Sequence, residues 1–212
     1  MDVHRLYGAL VRGFRRRRMR RFVDAFRPGP ETTVLDVGGS AFNWELAGAE
    51  ARITLLNLVP SADTRALAQR YTLVSASGTQ LPYRDGAFDV VFCNSVIEHL
   101  GSLERQQAFA SEVARVGRGL FVQTPARGFF LEPHLLTPFI HHLPRDWQRR
   151  LLRRFTLWGW LARPTQEVVD RFVAETRLLD GREMRALFPD CEIHRERFLG
   201  LTKSYVAIRA AP

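Results

Sequence analysis

Cysteine is scarce in this sequence: Cys93 and Cys191 are the two cysteines among 212 residues. They lie far apart and form neither a Cys-x-x-Cys pair nor a His/Cys ligand spacing, which argues against a zinc site and against a disulfide framework. We therefore expect no metal and a reducing, cytoplasmic setting.

Long hydrophobic runs are also missing. No stretch approaches the roughly 20 apolar residues that cross a bilayer, and arginines occupy the N-terminal region where a signal peptide has its apolar segment. We predict that the protein is not secreted, and that any association with the inner membrane face is peripheral.

Lysine is almost absent, since Lys203 is the only one, so the net charge of +9 comes from arginine. A basic chain can bind nucleic acid or an anionic membrane. An arginine-for-lysine bias is also typical of a GC-rich genome, so the charge by itself favours nucleic acid only weakly.

The length and the 46% of hydrophobic residues predict one domain with a packed core. Residues 4–26 place apolar side chains at near-helical spacing with arginines between them, which predicts a basic amphipathic helix, broken near Gly13. Its apolar stripe could pack on the domain as a lid, or lie on an anionic membrane or RNA. The prolines of segment 27–30 end this helix.

Strands and helices alternate after residue 30, which predicts a parallel sheet with helices on both faces. The predicted strands are 34–37, 53–56, 71–75, 88–93 and 120–123, and the predicted helices are 44–47, 62–69 and 105–116. A last helix over 183–187 precedes strands 191–198 and 204–209, which would form an antiparallel hairpin at the sheet edge.

Segment 126–180 interrupts this pattern and is rich in Phe, Trp, His, Pro and Arg, with helical stretches over 145–155 and 165–176. It follows a strand whose carboxyl end faces the expected pocket, so we predict that it binds the substrate and forms a lid. Glu132 and His134 are candidate proton acceptors or orienting residues. His141 and His142 are adjacent and cannot both face one point on a helix, which argues against a metal site.

The first strand ends in Asp36-Val37-Gly38-Gly39-Ser40. Glycines after a buried strand let the backbone approach a ligand closely, at the edge where parallel sheets bind cofactors. Asn57 follows Asp36 by 21 positions, near the offset of about 20 at which Rossmann sites bind a ribose. Asn57 could equally be a turn residue before Pro60.

Three short motifs follow in order: Leu81-Pro82, then Phe88-Asp89-Val90-Val91, then Glu98-His99-Leu100. Together with the first strand, they resemble the type 11 branch of class I S-adenosylmethionine-dependent methyltransferases, over residues 32–125 and again at the C-terminal hairpin. The resemblance implies a Rossmann-like fold with a seven-stranded, mostly parallel sheet. It also implies S-adenosyl-L-methionine as cofactor and S-adenosyl-L-homocysteine as product.

Position by position, the resemblance implies that Asp36 and the turn of Gly38, Gly39 and Ser40 hold the methionyl part of the cofactor. Asn57 would meet the ribose and Ser77 with Gly78 the adenine. Asn94 and Ser95 would lie beside the methionyl group. The family pattern has glycine where this chain has Ser40 and Phe42, and acids where it has Asn57 and Ser77. A non-catalytic binding protein on a degenerate methyltransferase fold is therefore an alternative.

His99 is the first candidate for a general base, because a histidine can take a proton from a hydroxyl as the methyl group arrives. A structural role for His99 is the alternative, and Asp89 is expected to be structural. The predicted function is in-line methyl transfer to oxygen or nitrogen of a small, apolar or lipid-linked acceptor. RNA methylation is an alternative that only the charge favours, and a nicotinamide dehydrogenase is disfavoured because the 88–100 stretch has no counterpart there.

The expected organisation is one domain over residues 1–212. Residues 1–30 form the basic helix, of which 1–26 could contact an anionic membrane, and 31–125 the cofactor-binding core. Residues 126–180 form the acceptor-binding insertion, and 181–212 the last helix and hairpin.

Overall fold

The structure is a computed structural model that describes residues 3–59, 67–132, 135 and 137–210, with side chains described from residue 12 onward. The strands are β1 Thr33–Val37, β2 Arg52–Asn57, β3 Thr72–Ser75, β4 Phe88–Asn94, β5 Gly117–Pro125, β6 Leu131–Glu132, β7 Thr137–Pro138, β8 Glu192–Phe198 and β9 Leu201–Arg209. The α-helices are α1 Val3–Phe26, α2 Ala41–Ala47, α3 Leu103–Val116, α4 Arg145–Phe155, α5 Leu157–Ala162, α6 Gln166–Glu175 and α7 Gly181–Leu187. Short 3-10 helices cover Ile97–Leu100 and Ile140–His142.

Seven strands form one sheet in the order β3-β2-β1-β4-β5-β9-β8, and β6 pairs with β7 in a separate antiparallel hairpin. β1 is parallel to both β2 and β4, and β2 is parallel to β3. The predicted Rossmann-like, mostly parallel sheet is confirmed. Its strand order reverses between β1 and β4, and sheets of this kind bind ligands at the carboxyl ends of the strands beside such a reversal.

The chain divides into two compact units. The first holds the described residues up to 94, residues 111–122 and those after 207; the second holds 95–110 and 123–207. The helix predicted over 62–69 falls mostly outside the described residues.

The core of the first unit consists of the strands that the reversal brings side by side. β1 and β4 are buried along nearly their whole length, as expected of parallel strands covered on both faces. Asp89 interrupts the apolar run of β4, and its Oδ2 accepts bonds from the backbone N and the hydroxyl of Thr33 at 2.9 and 2.8 Å. These bonds lower the pKa of Asp89 and confirm its expected structural role.

Helix α1 is continuous from Val3 to Phe26, so the predicted break near Gly13 is wrong. A glycine inside a helix costs about 1 kcal/mol relative to alanine, which the good helix formers around Gly13 can offset. Met19 and Phe22 are buried, and the Phe22 ring lies 5.5 Å from Trp44 and 5.3 Å from Phe92. This half of the helix therefore packs on the first unit, which agrees with the interpretation that its apolar stripe faces the domain.

The second unit has its own apolar cluster, formed by Leu135, Ile140, Leu152, Val169 and Val173. Helix α4 occupies the predicted range 145–155, and Thr156 and Thr165 cap the two helices that follow. The predicted helix over 165–176 is found as α6, one residue shorter at each end.

The C-terminal hairpin is confirmed, with β8 as the last strand of the sheet. Leu199 and Gly200 connect its strands, and both have positive φ angles, 49° and 80°. This is the geometry of a two-residue type I′ turn, whose twist matches that of an antiparallel pair.

Candidate functional site

The turn after β1 leaves no room for side chains. Gly38 has a φ of 71°, which favours glycine. A Cβ on Gly39 would lie 2.7 Å from Cγ of Asp36. The backbone therefore closes tightly over Asp36, and the two glycines are needed for this path.

Asp36 has a buried carboxyl group in which one of the two oxygens accepts a hydrogen bond from a side chain. The indole Nε1 of Trp44 donates to Oδ2 at 2.8 Å, while Oδ1 has no partner in the described part of the chain. Burial raises the pKa of Asp36 to about 8, although the bonds from Trp44 and the Ser40 backbone act in the opposite direction. An unpaired buried oxygen is costly unless an outside donor satisfies it, so this atom indicates a place for a ligand.

Asn57 at the end of β2 supports the glycine turn. Its Nδ2 donates to the carbonyl of Gly39 at 3.0 Å. Only the amide NH₂ is used in this bond, so the amide oxygen can still accept from a hydroxyl such as that of a ribose.

Ser77 and Gly78 lie in a tight turn after β3. The hydroxyl of Ser77 bonds with the hydroxyl of Thr79 at 2.8 Å and accepts the backbone N–H of Thr79 at 3.3 Å. The Ser77 hydroxyl therefore holds the turn itself. The expected contact of these two residues with adenine stays a prediction.

Asn94 at the end of β4 bonds a residue that sequence reasoning missed. Nη1 of Arg18 donates to its Oδ1 at 2.5 Å, and Arg18 is only 5% exposed. In sequence, Arg18 is one of six arginines between positions 15 and 21. No local signal separates it from its neighbours, because the bond joins residues far apart in the chain.

Ser95 begins the second unit and has a left-handed backbone, with a φ of 60°. Its hydroxyl donates to Oε1 of Gln123 at 3.0 Å, and its backbone N to the carbonyl of Gln123 at 3.1 Å. A non-glycine residue in this conformation is strained and is held by its surroundings.

The Glu-His-Leu motif separates into a buried and an exposed residue. Glu98 is buried and its Oε2 accepts the hydroxyl of Thr124 at 3.0 Å. His99 is exposed, and its backbone N donates to Val96 within the 3-10 helix. The side chain of Glu98 is therefore enclosed in the second unit, whereas His99 is accessible from solvent.

The second unit contains a cavity of about 310 Å³ within the predicted acceptor segment. Its walls combine apolar side chains with a few polar ones, as small-molecule sites do. They are Arg127, Glu132, Leu135, Ile140, His141, Leu143, Pro144, Arg145, Gln148, Phe172, Thr176, Arg177 and Leu178. The predicted residue Glu132 is thus part of a cavity, whereas His134 lies outside the described residues.

Two wall residues have unsatisfied polar atoms. Nε2 of His141 bonds the carbonyl of Arg127 at 3.0 Å, so it carries the proton and the neutral ring has its acceptor at Nδ1. That Nδ1 and Oγ1 of Thr176 are buried and find no partner among the residues described. Burial, with a smaller contribution from the nearby His142, lowers the pKa of His141, so the ring is neutral near pH 7.

Glu132 is almost completely buried, and its Oε2 accepts the backbone N–H of Leu135 at 2.6 Å. Residues 3–59, 67–132, 135 and 137–210 contain no group of three or more His, Cys, Asp and Glu that could hold a metal ion. Within the same residues, no helix has the length and apolar character needed to cross a bilayer.

The stretch 35–120 matches the family model of a methyltransferase domain. Residues 35–120 belong to the methyltransferase-domain family. The matched stretch contains the glycine turn after β1 and all three motifs that carried the resemblance, so the class I, type 11 assignment is confirmed. The protein is an S-adenosylmethionine-dependent methyltransferase, and the unpaired Oδ1 of Asp36 beside the glycine turn fits such a cofactor.

Solved structures show the same fold at low sequence identity. Magnesium protoporphyrin IX methyltransferase from Synechocystis PCC 6803, with bound S-adenosylhomocysteine, is 15% identical with a TM-score of 0.59, covering 99% of this chain and 88% of its own. A candidate Zn-dependent alcohol dehydrogenase from Rhodobacter sphaeroides is 20% identical with a TM-score of 0.61, covering 91% and 88%. An S-adenosylmethionine-dependent methyltransferase from Methanosarcina mazei is 15% identical with a TM-score of 0.50, covering 84% and 92%. No curated protein sequence matches the methyltransferase.

Proposed function

We propose that this methyltransferase transfers the methyl group of S-adenosylmethionine to a hydroxyl oxygen or an amine nitrogen of a small apolar or lipid-linked acceptor. The observation that carries the proposal is Asp36, which is fully buried beside the glycine turn with Oδ1 unsatisfied. A buried acceptor of this kind suits the positively charged amino group of an amino-acid cofactor.

The cofactor-binding residues in this proposal are Asp36, Gly38, Gly39, Ser40, Asn57, Ser77, Gly78, Asn94 and Ser95. The glycine turn gives the close backbone approach, and Asn57 contributes an amide oxygen for a ribose hydroxyl. Arg18 joins this set as a positioning residue, because it fixes the side chain of Asn94. The chain acts as one methyltransferase domain in which 126–180 is the acceptor-binding insertion.

The acceptor is proposed to bind in the cavity of the second unit. Its volume of about 310 Å³ is at the lower end of the roughly 300–1,000 Å³ typical of ligand pockets, which favours a small molecule. His141 and Thr176, which line the cavity, would contact the polar group of the acceptor, and the apolar walls would hold its body.

The sulfonium of the bound cofactor supplies a labile methyl group, so the protein has mainly to align the acceptor and exclude water. A hydroxyl acceptor also has to lose a proton, for which His99, Glu132 and His134 are the proposed candidates. His141 is added to them because its ring is neutral and the residue lines the cavity.

Calorimetric titration with S-adenosylmethionine, and separately with S-adenosylhomocysteine, tests the cofactor site. Wild type should bind, and Asp36→Asn should bind at least about tenfold more weakly, since a hydrogen bond to a charged group is lost. Asp89→Asn is the matched control, because it removes a carboxylate of β4 that is already satisfied by Thr33. Its affinity should equal that of wild type in folded protein.

Absence of binding to either ligand, in wild type shown to be folded, would overturn the proposal and favour the non-catalytic alternative that the departures at Ser40, Asn57 and Ser77 left open. If wild type and Asp36→Asn bind with equal affinity, the protein binds the cofactor but Asp36 does not contact it.

A further inference from the structure

Helices α4 and α5 of the second unit expose large apolar side chains on a basic surface. Trp147, Phe155, Trp160 and Leu161 are 58, 69, 65 and 59% exposed, and Leu157 is exposed beside them. We call these five residues the aromatic patch. Single exposed apolar residues are ordinary, but a concentration of them within fifteen residues of sequence marks an interaction surface.

The aromatic patch stands on a fixed pair of helices. Trp147 and Phe155 are eight residues apart on α4 and therefore share one stripe of that helix. Nε1 of Trp160 donates to the carbonyl of Arg154 at 2.6 Å, which holds the indole against the end of α4. The ring of Trp160 is thereby held at the end of the helix that carries Trp147.

The turn between the two helices is closely packed. The hydroxyl of Thr156 donates to the carbonyl of Leu152 at 2.6 Å and accepts the backbone N–H of Gly159 at 2.9 Å. A Cβ on Gly159 would collide with the backbone carbonyls of Leu152 and Arg153. The exposed side chains of the aromatic patch are therefore carried by two helices joined by a well-bonded turn.

Exposed arginines alternate along the chain with the residues of the aromatic patch. Arg150, Arg153 and Arg154 are exposed on α4, and Arg163 is exposed just after α5. Segment 145–163 contains six arginines and one acid, Asp146, which is bonded to Arg149 at 2.9 Å. The segment that bears the apolar side chains therefore has a net charge of +5, which attracts an anionic partner.

We propose that the aromatic patch and these arginines dock this protein on the surface of an anionic lipid bilayer. Tryptophan and phenylalanine insert at the level of the headgroups, and arginine extends its apolar stem into the interface while its guanidinium meets lipid phosphates. A protein partner would have to bring acids to pair with the arginines, whereas an anionic bilayer offers phosphates to the arginines and an interface for tryptophan and phenylalanine.

The membrane surface expected from the sequence was residues 1–26. Met19 and Phe22 of α1 are buried in the first unit, so these two side chains are not available to a bilayer. The docking surface proposed here lies on α4 and α5, and this inference does not depend on methyl transfer.

Co-sedimentation of the full chain with vesicles tests the inference. The vesicles are phosphatidylcholine alone, or phosphatidylcholine with about a quarter of phosphatidylglycerol. Wild type should bind the anionic vesicles. Two triple variants, W147S/F155S/L161S and R150Q/R153Q/R154Q, should each lose at least about tenfold in binding, since docking needs both insertion and charge.

The matched control is R16Q/R17Q/R20Q, which removes the same charge from exposed positions of α1 and should bind like wild type. Trp147 and Trp160 give a second readout: tryptophan emission should shift to shorter wavelength on anionic vesicles and be quenched by brominated lipid. Thermal unfolding confirms that each variant is folded.

Wild type that ignores anionic vesicles would overturn the inference. So would a loss of binding confined to the α1 control. A concentration-dependent dimer that the patch variant abolishes, without vesicle binding, would also overturn it and assign the surface to a second copy of the chain.

Discussion

Arg18 and Asn94 are 76 residues apart in the chain, yet Nη1 of Arg18 donates to Oδ1 of Asn94 at 2.5 Å. The bond joins helix α1 to the carboxyl end of β4, the edge at which parallel sheets bind ligands. Because Arg18 is buried, its guanidinium has lost much of its hydration and depends on such bonds. The N-terminal helix thus contributes to the cofactor side of the first unit.

Replacing Arg18 with glutamine should weaken S-adenosylmethionine binding by about tenfold, because a bond from a charged donor contributes about 1.5–3 kcal/mol. The exposed neighbour Arg17 is the control, and Arg17→Gln should leave the affinity unchanged. Calorimetry measures both. If the two variants bind equally well, Arg18 acts on the fold alone.

The stability of the protein should depend on Asp36 between pH 4 and 8. Its pKa in the folded protein is about 8, against 3.8 as the ordinary value. A raised carboxyl pKa gives stability that is complete below the unfolded pKa and is lost as the pH rises through the folded pKa. In that window, the free energy of unfolding should fall by up to roughly 1.4 kcal/mol per pH unit from this group.

Asp36→Asn lacks this titration, so the variant should gain stability relative to wild type as the pH rises from 5 to 8. Urea unfolding at both pH values measures the difference. Parallel pH profiles for the two proteins would show that the carboxyl group of Asp36 ionises normally.

Cofactor binding at pH 7 should release protons, for the same reason. Asp36 is largely protonated in the free protein, and a cationic group beside it favours the carboxylate. Titration in buffers of different ionisation enthalpy should give about one proton released per cofactor for wild type. Asp36→Asn should show no such buffer dependence, and a wild-type heat that is independent of buffer would contradict the contact.

Two threonines of the second unit, both with buried hydroxyl groups, should respond in opposite ways to replacement by valine. Thr176 has an unsatisfied hydroxyl, so Thr176→Val should stabilise the folded protein, since a buried unpaired group costs about 1–3 kcal/mol. Thr124 donates to Glu98, so Thr124→Val should destabilise it. Thermal unfolding measures both shifts.

If the acceptor binds in the cavity, Thr176→Val should also weaken acceptor binding. KM for the acceptor should then rise while the affinity for the cofactor stays constant. A destabilised Thr176→Val would mean that its hydroxyl is satisfied in solution.

Phe22 should be the strongest anchor of α1. Phe22→Ala should cost about 3–5 kcal/mol in unfolding free energy, as for other buried phenylalanines, because its ring meets Trp44, Phe92 and Phe121. Phe155→Ala, at an exposed position, should change it by less than about 0.5 kcal/mol. Urea unfolding distinguishes the two, and similar small losses would show that α1 is loosely held.

Local patterns predicted most of the elements. The apolar runs of β1 and β4 mark strands buried on both faces, and the range of α4 follows from Pro144 and Thr156 at its ends. Asp36, Gly38 and Gly39 were found in the same way, because a strand and its turn are contiguous in sequence.

Contacts between distant residues could not be predicted in this manner. In sequence, Arg18 cannot be distinguished from its arginine neighbours, because its bond to Asn94 forms only in the folded protein. The same holds for His141, whose bond to the carbonyl of Arg127 fixes the proton on Nε2. The spacing of Trp147 and Phe155 would be the same in a buried helix face, so their exposure was not readable from the sequence.

The sequence by itself determined the order of strands and helices, the glycine turn and the methyltransferase motifs, because these depend on neighbouring residues and on the periods of helix and strand. Tertiary structure alone decided that Oδ1 of Asp36 is unsatisfied, that Arg18 holds Asn94, and that the aromatic patch is exposed. Each of these depends on which distant side chains fill the space around a group, and that is fixed only when the elements pack.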